Sequence, residues 1–228
     1  ASDTWSDEWT FAGGGIDTVT EDADRAFEPF LGRALRVLMA GGGNDALNMG
    51  YKFMDETGQE PEEIYFRYYL RFGSDWDPAR GGKLPGIGGT YGRGGWGGRP
   101  SDGRNGWSAC GQFNGQKDGK TPIGFYCYHA DMKGQYGSSW IWEKDGLGYL
   151  ENNRWYCVEL FWHGLGSPYR FQAWIDGRLV FDGAPASPPR LRWIMLGLIN
   201  LKGTTADFSL QHWMDGLAEF IRERERDV

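Results

Sequence analysis

Residues 169–182, Tyr-Arg-Phe-Gln-Ala-Trp-Ile-Asp-Gly-Arg-Leu-Val-Phe-Asp, contain two short β-prone runs separated by Asp176-Gly177. An Asp-Gly pair between two such runs is a strong signal for a tight hairpin turn, because both residues accept the positive φ angles that the turn requires. This stretch therefore predicts two antiparallel strands, at residues 169–175 and 178–182.

Similar β-prone runs recur along the chain, separated by Gly, Asp, Asn and Pro. The most aromatic of them is Glu-Ile-Tyr-Phe-Arg-Tyr-Tyr-Leu-Arg-Phe at residues 63–72. Other strands are predicted at residues 34–39, 124–129, 139–143, 154–162, 191–199 and 209–213. A short helix is predicted at residues 217–226, and residues 21–30 have room for one or two helical turns. Many strands at close spacing predict an all-β fold, a two-sheet antiparallel β-sandwich of jelly-roll (concanavalin-like) type.

The length of 228 residues is typical of one all-β domain, and neither a linker nor an internal repeat divides the chain. We therefore expect a single domain spanning residues 1–228, acting as a monomer. No apolar run approaches membrane-spanning length, so no membrane partner is expected. The chain begins Ala-Ser-Asp-Thr-Trp, without a charged start and an apolar segment. That start fits a processed, mature protein, and a secreted or periplasmic location is expected.

The three cysteines, Cys110, Cys127 and Cys157, lack the CxxC or Cys/His spacing of a zinc site. No metal or other cofactor is predicted. In a regular strand Tyr126 and Tyr128 share one face and Cys127 points the other way. If Cys110 lies on the tyrosine side of the sheet, a Cys110–Cys127 disulfide is not expected.

A glycine-rich basic segment, residues 81–106, lies within an acidic chain. The formal net charge of the chain is −7, yet Asp102 is the one acidic residue of the segment. The cationic side chains singled out there are Lys83, Arg93, Arg99 and Arg104. A local basic patch on an acidic protein favours a polyanionic ligand bound at one place, and not general affinity for nucleic acid.

Two phenols, an amine and a hydroxyl beside this basic segment suit the β-elimination of a uronic-acid polymer. The reaction needs a group that neutralises the carboxylate, a base that removes the C5 proton and an acid that protonates the departing O4. Lys83, Tyr126 and Tyr128 supply groups of these kinds once nearby positive charge and desolvation shift their pKa values. The scheme requires no metal.

The motifs Gly-Gly-Lys-Leu-Pro-Gly at 81–86, Trp-Ser at 107–108 and Tyr-x-Tyr at 126–128 resemble polysaccharide lyase family fourteen and its glucuronan-lyase relatives. These are β-jelly-roll enzymes that cleave alginate or glucuronate polymers. The resemblance continues through residues 153–159 and 173–177, and so covers roughly residues 60–180. It implies that Lys83 is the essential lysine, that Tyr126 and Tyr128 are catalytic tyrosines, and that Ser108 is a site residue.

Two departures from the family pattern stand in the same region. The family reads Ser-x-Arg where this chain has Ser108-Ala109-Cys110, so one of Arg93, Arg99 and Arg104 would have to replace a carboxylate-binding arginine. A Lys-Met-Asn-like run is replaced by Phe-Trp-His-Gly-Leu at 161–165, ending in Leu165.

The remaining substrate contacts are predicted from position. His163 is a candidate replacement for the polar group missing at Leu165, and Gln112 shares the strand face of Ser108. Trp96, in the basic segment, is a candidate for stacking on a sugar ring.

The sequence thus predicts a polysaccharide lyase that cleaves a uronate-containing anionic polysaccharide, of alginate or glucuronan type, by metal-independent β-elimination. The predicted catalytic residues are Lys83, Tyr126 and Tyr128. The predicted substrate-binding residues are Ser108, Gln112, Arg93, Arg99, Arg104 and His163. The alternative is a non-catalytic carbohydrate-binding module that keeps the cleft, and the absence of arginine at Cys110 favours it. A retaining glycoside hydrolase is disfavoured, because no Glu-x-Asp-x-Glu strand places two carboxylates on one face.

Overall fold

The computed structural model describes residues 16–38, 47–78, 80–89, 93–164, 170–183, 193–200 and 205–209. The described part is built almost wholly of β-strands. The strands are β1 (Ile16–Val19), β2 (Ala34–Leu38), β3 (Leu47–Lys52), β4 (Glu63–Phe72), β5 (Gly82–Gly88), β6 (Ser108–Phe113), β7 (Thr121–Tyr128), β8 (Ser138–Ile141), β9 (Tyr149–Leu150), β10 (Tyr156–His163), β11 (Arg170–Ile175), β12 (Arg178–Gly183), β13 (Trp193–Asn200) and β14 (Thr205–Ser209). The helical elements are a five-residue helix, α1 (Phe53–Thr57), and 3-10 turns at Ala23–Arg25 and Lys144–Gly146.

The strands form two sheets, named here after their central strands. The β4 sheet has the order β1-β2-β14-β4-β10-β11-β12, and the β6 sheet has the order β3-β13-β5-β6-β7-β8, with β9 added to β7. Each described strand pair is antiparallel. The predicted fold class, an all-β two-sheet antiparallel sandwich of jelly-roll type, is confirmed.

The core lies between the two sheets. Strand β4 alternates as the sequence pattern requires, with Ile64, Phe66 and Leu70 all at most 3% exposed. The indole rings of Trp107, next to β6, and Trp162, on β10, stack with centroids 5.5 Å apart and so join the two sheets directly. The core is therefore built largely from aromatic side chains, which accounts for part of the chain's 16% aromatic content.

Most predicted strands are found within a few residues of their expected bounds. Strand β4 matches residues 63–72, and the hairpin β11–β12 turns at Asp176 and Gly177, whose φ angles are 50° and 74°. The helical turn expected within residues 21–30 is the 3-10 turn at Ala23–Arg25. The strand predicted to begin at residue 209 instead ends there, since β14 spans Thr205–Ser209. Residues 210–213 and the helix predicted at 217–226 lie outside the described residues.

Strand β5 was not predicted, because Gly-Lys-Leu-Pro-Gly-Ile-Gly reads as a loop. Leu84 pairs with Gly111 and Gly86 pairs with Cys110, so Pro85 is an extra residue without a partner on β6. Such a β-bulge is one of the few places where a sheet accepts proline. The glycines that suggested a loop instead allow close packing, since a Cβ atom on Gly86 would lie 2.5 Å from the Cα atom of Cys110.

The bulge also sets which way the side chains of β5 point. Lys83 and Ile87 are four residues apart and would share a face in a regular strand. Because Pro85 shifts the alternation, Leu84 and Ile87 both enter the core, at 1% exposure each, and Lys83 lies on the opposite, outer face. The lysine expected in a loop is thus held by a strand.

Candidate active site on the outer face of the β6 sheet

Three adjacent strands bring the predicted residues together. Across β6 and its neighbours, Lys83 is opposite Gln112, Cys110 is opposite Tyr126, and Ser108 is opposite Tyr128. The alternate residues of β6 and β7, including Ala109, Phe125 and Cys127, belong to the core. The six residues first named therefore share the outer face of the β6 sheet. Alternation predicted the common face of Tyr126 and Tyr128 and that of Ser108, Cys110 and Gln112, whereas the position of Lys83 beside them was not predicted.

Lys83, Tyr126 and Tyr128 form the centre of this face. The Nζ atom of Lys83 lies 5.4 Å from the centroid of the Tyr126 ring, within the range of a cation–π contact. The Tyr126 and Tyr128 rings meet edge to face, with centroids 5.6 Å apart and an interplanar angle of 83°. Among the described residues, no carboxylate forms an ion pair with Lys83, so an aromatic ring is the group that faces its charge.

The environment of Tyr126 holds its phenol in the protonated form. Partial burial, followed by the hydrogen bond and the electrostatic interaction with Tyr128, raises the pKa of Tyr126 to about 12. The backbone N–H of Gly137 donates to the Tyr126 hydroxyl oxygen at 2.9 Å and lowers the pKa, but by less. Near neutral pH this group is therefore a phenol with a proton to give.

Ser108 and Tyr128 are covered by the glycine-rich segment that follows β5. The Ser108 hydroxyl donates to the carbonyl oxygen of Gly95 at 2.6 Å, and the Gly98 N–H donates to the Tyr128 hydroxyl oxygen at 2.9 Å. Tyr128 is consequently 1% exposed and Ser108 is 3% exposed, whereas Tyr126 remains half-buried. Of the two phenols, Tyr126 is the one that solvent reaches.

Gln112 and Cys110 complete the buried part of the face. The Gln112 side-chain amide donates to the Ser139 hydroxyl on β8. Burial raises the pKa of the Cys110 thiol, although the charge of Lys83 opposes the shift. Cys110 and Cys127 are both free and lie on opposite faces of the sheet, which confirms that they do not form a disulfide.

The three predicted arginines are all exposed and lie in the segment that covers the site. The guanidinium carbon of Arg99 lies 4.3 Å from the Trp96 ring centroid. Arg104 belongs to a turn in which a carboxylate oxygen of Asp102 accepts the Arg104 N–H at 2.8 Å. Since Gly98 contacts Tyr128, Arg99 is the arginine most directly tied to the tyrosines.

His163 is not part of this cluster. It is the last residue of β10, in the β4 sheet, where its Nδ1 atom lies 3.3 Å from a carboxylate oxygen of Glu63 on β4. The structure thus places it on the other sheet from Lys83 and Tyr126, because β10 pairs with β4 and β11. His129, the residue after β7, contacts the Ser138 hydroxyl through Nε2 at 2.9 Å and is 8% exposed.

Sequence reasoning missed three residues that contact the centre: Gly98, Gly137 and Ser139. Two of them act through backbone N–H groups, which carry no residue-specific signal in a sequence. The model contains no group of three or more His, Cys, Asp or Glu side chains suited to a metal ion within the ranges it describes. Over the same ranges, no helix is long and apolar enough to cross a membrane.

No protein-family model matches the chain, and no curated protein matches it significantly. Solved structures do match. A double mutant of alginate lyase Aly36B in complex with an alginate trisaccharide has a TM-score of 0.65 and 21% identity, over 87% of this chain and 85% of that chain. Alginate lyase vAL-1 from Chlorella virus gives 0.59 and 14%, over 88% and 90%. The endo-beta-1,4-glucuronan lyase of the fungus Trichoderma reesei gives 0.51 and 12%, over 89% of each chain.

The chain shares the fold of alginate and glucuronan lyases. The resemblance seen in the sequence motifs is therefore confirmed as a likeness of fold. At these levels of identity the activity of the chain has to be argued from its own residues.

Proposed function

We propose that this chain is a polysaccharide lyase that cleaves an anionic, uronate-containing polymer by β-elimination on the outer face of the β6 sheet. The observation that carries the proposal is the contact of the Lys83 ammonium with the Tyr126 ring, 5.4 Å from its centroid. A cation without a carboxylate partner among the described residues stands beside a protonated phenol. The fold shared with alginate and glucuronan lyases supports the same activity.

In this proposal Lys83 binds the carboxylate of the uronate that is cleaved. A positive charge there stabilises the carbanion-like state that forms as the C5 proton leaves, because negative charge spreads onto the carboxylate. The half-buried position of Lys83 strengthens the interaction relative to one in bulk water.

Tyr126 is the proposed general acid. Its pKa of about 12 keeps the phenol protonated near neutral pH, so it is ready to protonate O4 as the C4–O4 bond breaks. The electron pair of the broken C5–H bond becomes the C4–C5 double bond, and the departing chain leaves with the proton from Tyr126. Tyr128 is hydrogen-bonded to Tyr126 and accepts the Gly98 N–H, and it thereby fixes the orientation of the acid.

The base that removes the C5 proton is either Lys83, which is half-buried, or Tyr128, which substrate reaches only when the segment over its hydroxyl moves aside. A substitution separates the two. Arginine keeps the positive charge of lysine but does not deprotonate in proteins. If Lys83 only binds the carboxylate, Lys83→Arg retains part of the activity and Lys83→Ala loses it. If Lys83 takes the proton, both variants lose it equally.

The test of the proposed function is the ultraviolet absorbance of the unsaturated uronate product, measured on alginate, glucuronan and related polymers. We expect product from the wild-type chain on at least one uronate polymer, and none from Lys83→Ala. Glu159→Gln, on the outer face of the β4 sheet, is the matched control and should retain full activity. Absence of product on every polymer, from a chain with a normal unfolding transition, would overturn the proposal.

A non-catalytic carbohydrate-binding module is the second candidate, and the environment of Cys110 favours it. This residue is opposite Tyr126 and 4% exposed, at the position where the resembling family carries an arginine. The candidate predicts polymer binding without product. Calorimetry with the same polymers identifies it, because binding of normal stoichiometry would persist where absorbance shows no cleavage.

A further inference from the structure

Two loops beside the tyrosines each carry an exposed aromatic side chain that has no role in the proposed chemistry. We call them the Trp96 loop, residues 93–106, and the Tyr136 loop, residues 129–137. Each donates one backbone N–H to a phenol of the site: Gly98 to Tyr128 and Gly137 to Tyr126, both at 2.9 Å. Each also carries one strongly exposed aromatic side chain.

The tip of the Trp96 loop is a tight turn with a defined shape. The Gly95 N–H donates to the Arg99 carbonyl at 2.8 Å, and the Arg99 N–H donates to the Trp96 carbonyl at 2.9 Å. Gly97 and Gly98 between them have φ angles of 55° and 76°, which two-residue hairpin turns require and which glycine adopts without strain. The turn therefore sets Trp96 directly opposite Arg99.

The side chains of this turn offer an aromatic surface beside a cation. Trp96 is 43% exposed even with the guanidinium carbon of Arg99 4.3 Å from its ring centroid. Single exposed aromatic side chains are ordinary, but adjoining ones beside a cleft often mark a binding surface. A guanidinium group also matches a carboxylate through paired hydrogen bonds.

Tyr136 provides a second aromatic surface next to the same turn. It is 65% exposed, the highest value among the large hydrophobic side chains of the described residues. A Cβ atom built on Gly98 would lie 3.3 Å from Cε1 of the Tyr136 ring, so the ring packs against the glycine. Glycine at position 98 thus brings Tyr136 close to the turn that carries Trp96.

We propose that Trp96, Arg99 and Tyr136 form a second sugar subsite, which takes a uronate unit of the polymer outside the unit bound at Lys83. The indole and phenol rings contact the sugar ring, and Arg99 pairs with the carboxylate. The inference rests on the proposed function, which places the polymer on the outer face of the β6 sheet.

The contacts between the subsite and the centre are continuous. Gly98 touches Tyr128, the Tyr128 and Tyr126 rings are 5.6 Å apart, and Lys83 is 5.4 Å from the Tyr126 ring. The subsite is therefore held at a fixed distance from the reacting bond. A chain long enough to reach both places gains binding energy that a disaccharide lacks.

The test measures binding in the Tyr126→Phe background, in which turnover is expected to be about a hundredfold slower. Calorimetry compares hexasaccharides and disaccharides prepared from alginate and from glucuronan. We expect Trp96→Ala and Tyr136→Ala each to weaken hexasaccharide binding by roughly fivefold to tenfold, the range of an aromatic contact. Disaccharide binding should not change. Arg99→Gln should weaken binding of the uronate hexasaccharides and leave neutral cellohexaose unaffected.

Tyr65→Ala is the matched control, because Tyr65 is 49% exposed but lies on β4, in the other sheet. It should leave every affinity unchanged. Unchanged hexasaccharide affinity in both Trp96→Ala and Tyr136→Ala overturns the subsite, as does an equal loss for disaccharide and hexasaccharide.

Failure of the subsite is distinguishable from failure of the proposed function. If the wild-type chain gives no unsaturated product but Trp96→Ala still weakens hexasaccharide binding, the lyase proposal is wrong and the subsite stands. If the wild-type chain cleaves polymer and kcat/KM on hexasaccharide is the same in Trp96→Ala and Tyr136→Ala, the subsite is wrong and the lyase proposal stands.

Discussion

The outer faces of the two sheets differ in whether their cationic side chains form ion pairs. On the β4 sheet, cations are paired across strands: Arg67 lies 2.6 Å from Glu159, and Arg170 lies 2.8 Å from Asp182. On the β6 sheet, Lys83 faces an aromatic ring and has no carboxylate partner among the described residues. Both faces are built from antiparallel strands of the same sandwich, so the fold itself does not impose the difference.

An ion pair across two strands neutralises the charges of both side chains. At an exposed position each such pair adds little to stability. A cation left without such a partner, half-buried and beside two phenols, is available to a ligand that brings the negative charge. Because carboxylates outnumber cations in this chain, whose net charge is −7, a lysine without a carboxylate partner among the described residues is more informative. The β6 face is therefore the one on which substitutions should change function, and the β4 face the one on which they should not.

The largest effect is expected at Lys83. Replacement by alanine removes the charge that binds the uronate carboxylate, and we expect product formation to fall by about a thousandfold. Circular dichroism and thermal unfolding of the same sample serve as the control, because Lys83 contributes little to the core. A variant that keeps more than about a tenth of wild-type activity would remove Lys83 from the proposed centre.

A smaller loss is expected for Tyr126→Phe, which removes the proton donor and keeps the ring. Product formation should fall by about a hundredfold, the range of general acid catalysis. Tyr65→Phe, on the β4 face, is the paired control and should be fully active. Equal activity in the two variants would mean that the phenol of Tyr126 gives no proton to O4.

The pKa of Tyr126 has its own measurement. Because the folded chain raises this pKa from 10.0 to about 12, ionisation of the phenol should destabilise the folded chain as pH rises through that interval. The tyrosinate absorbance of wild type minus Tyr126→Phe should therefore appear near pH 12, as long as the chain is folded. A difference titrating near pH 10 would show that burial and Tyr128 do not raise the pKa of Tyr126.

The reactivity of two thiols can be compared between the faces, with Cys157 on the β4 sheet and Cys110 on the β6 sheet. Burial, and next the charge of Glu159, raise the pKa of Cys157 on the β4 face to about 11, two units above the ordinary 9.0. Alkylation of Cys157 near neutral pH should be about a hundredfold slower than that of a free cysteine and should accelerate up to pH 11. Cys110, which is 4% exposed on the β6 face, should not react without unfolding. Faster labelling of Cys110 than of Cys157 would show that the covering segment opens.

The smallest effect is expected at the Arg67–Glu159 pair. Glu159→Gln removes one charge from a pair whose side chains are 52% and 25% exposed. We expect the free energy of unfolding to change by less than about 1 kcal/mol, with no change in product formation. Chemical denaturation measures the first quantity and ultraviolet absorbance the second. A large loss of activity would mean that the two faces are not functionally distinct.

The sequence predicted the elements whose pattern is local. Alternation and a turn dipeptide suffice for β4 and for the β11–β12 hairpin. Alternation also put Tyr126 with Tyr128, and Ser108 with Gln112, while the pairing of β6 with β7 joins the two sets on one face. His163 was grouped with them from its position along the chain, and only the pairing of β10 with β4 shows that it belongs to the other sheet. Strand partners are contacts between distant residues, and a single sequence carries little information about them.

The backbone contacts that cover the site could not be predicted from the sequence either. Glycines at 95, 98 and 137 have no side chain that could mark a functional role, yet each supplies a backbone group to Ser108, Tyr128 or Tyr126. Hydrogen bonds from the main chain do not depend on residue type, so composition cannot reveal them. Tyr128 is 1% exposed where the Gly98 segment covers it, whereas Tyr126 remains partly exposed.

The bulge at Pro85 has a consequence for the way such chains are aligned. The extra residue is absorbed between Leu84 and Gly86, and the side chains on either side keep their faces. A chain with one residue fewer at this point would therefore hold its lysine in the same place, and would differ only by a gap of one position. Placing that gap before Lys83 would match Lys83 to a residue that points into the core. Correct comparison of this site with distant sequences thus depends on where a single insertion is assigned.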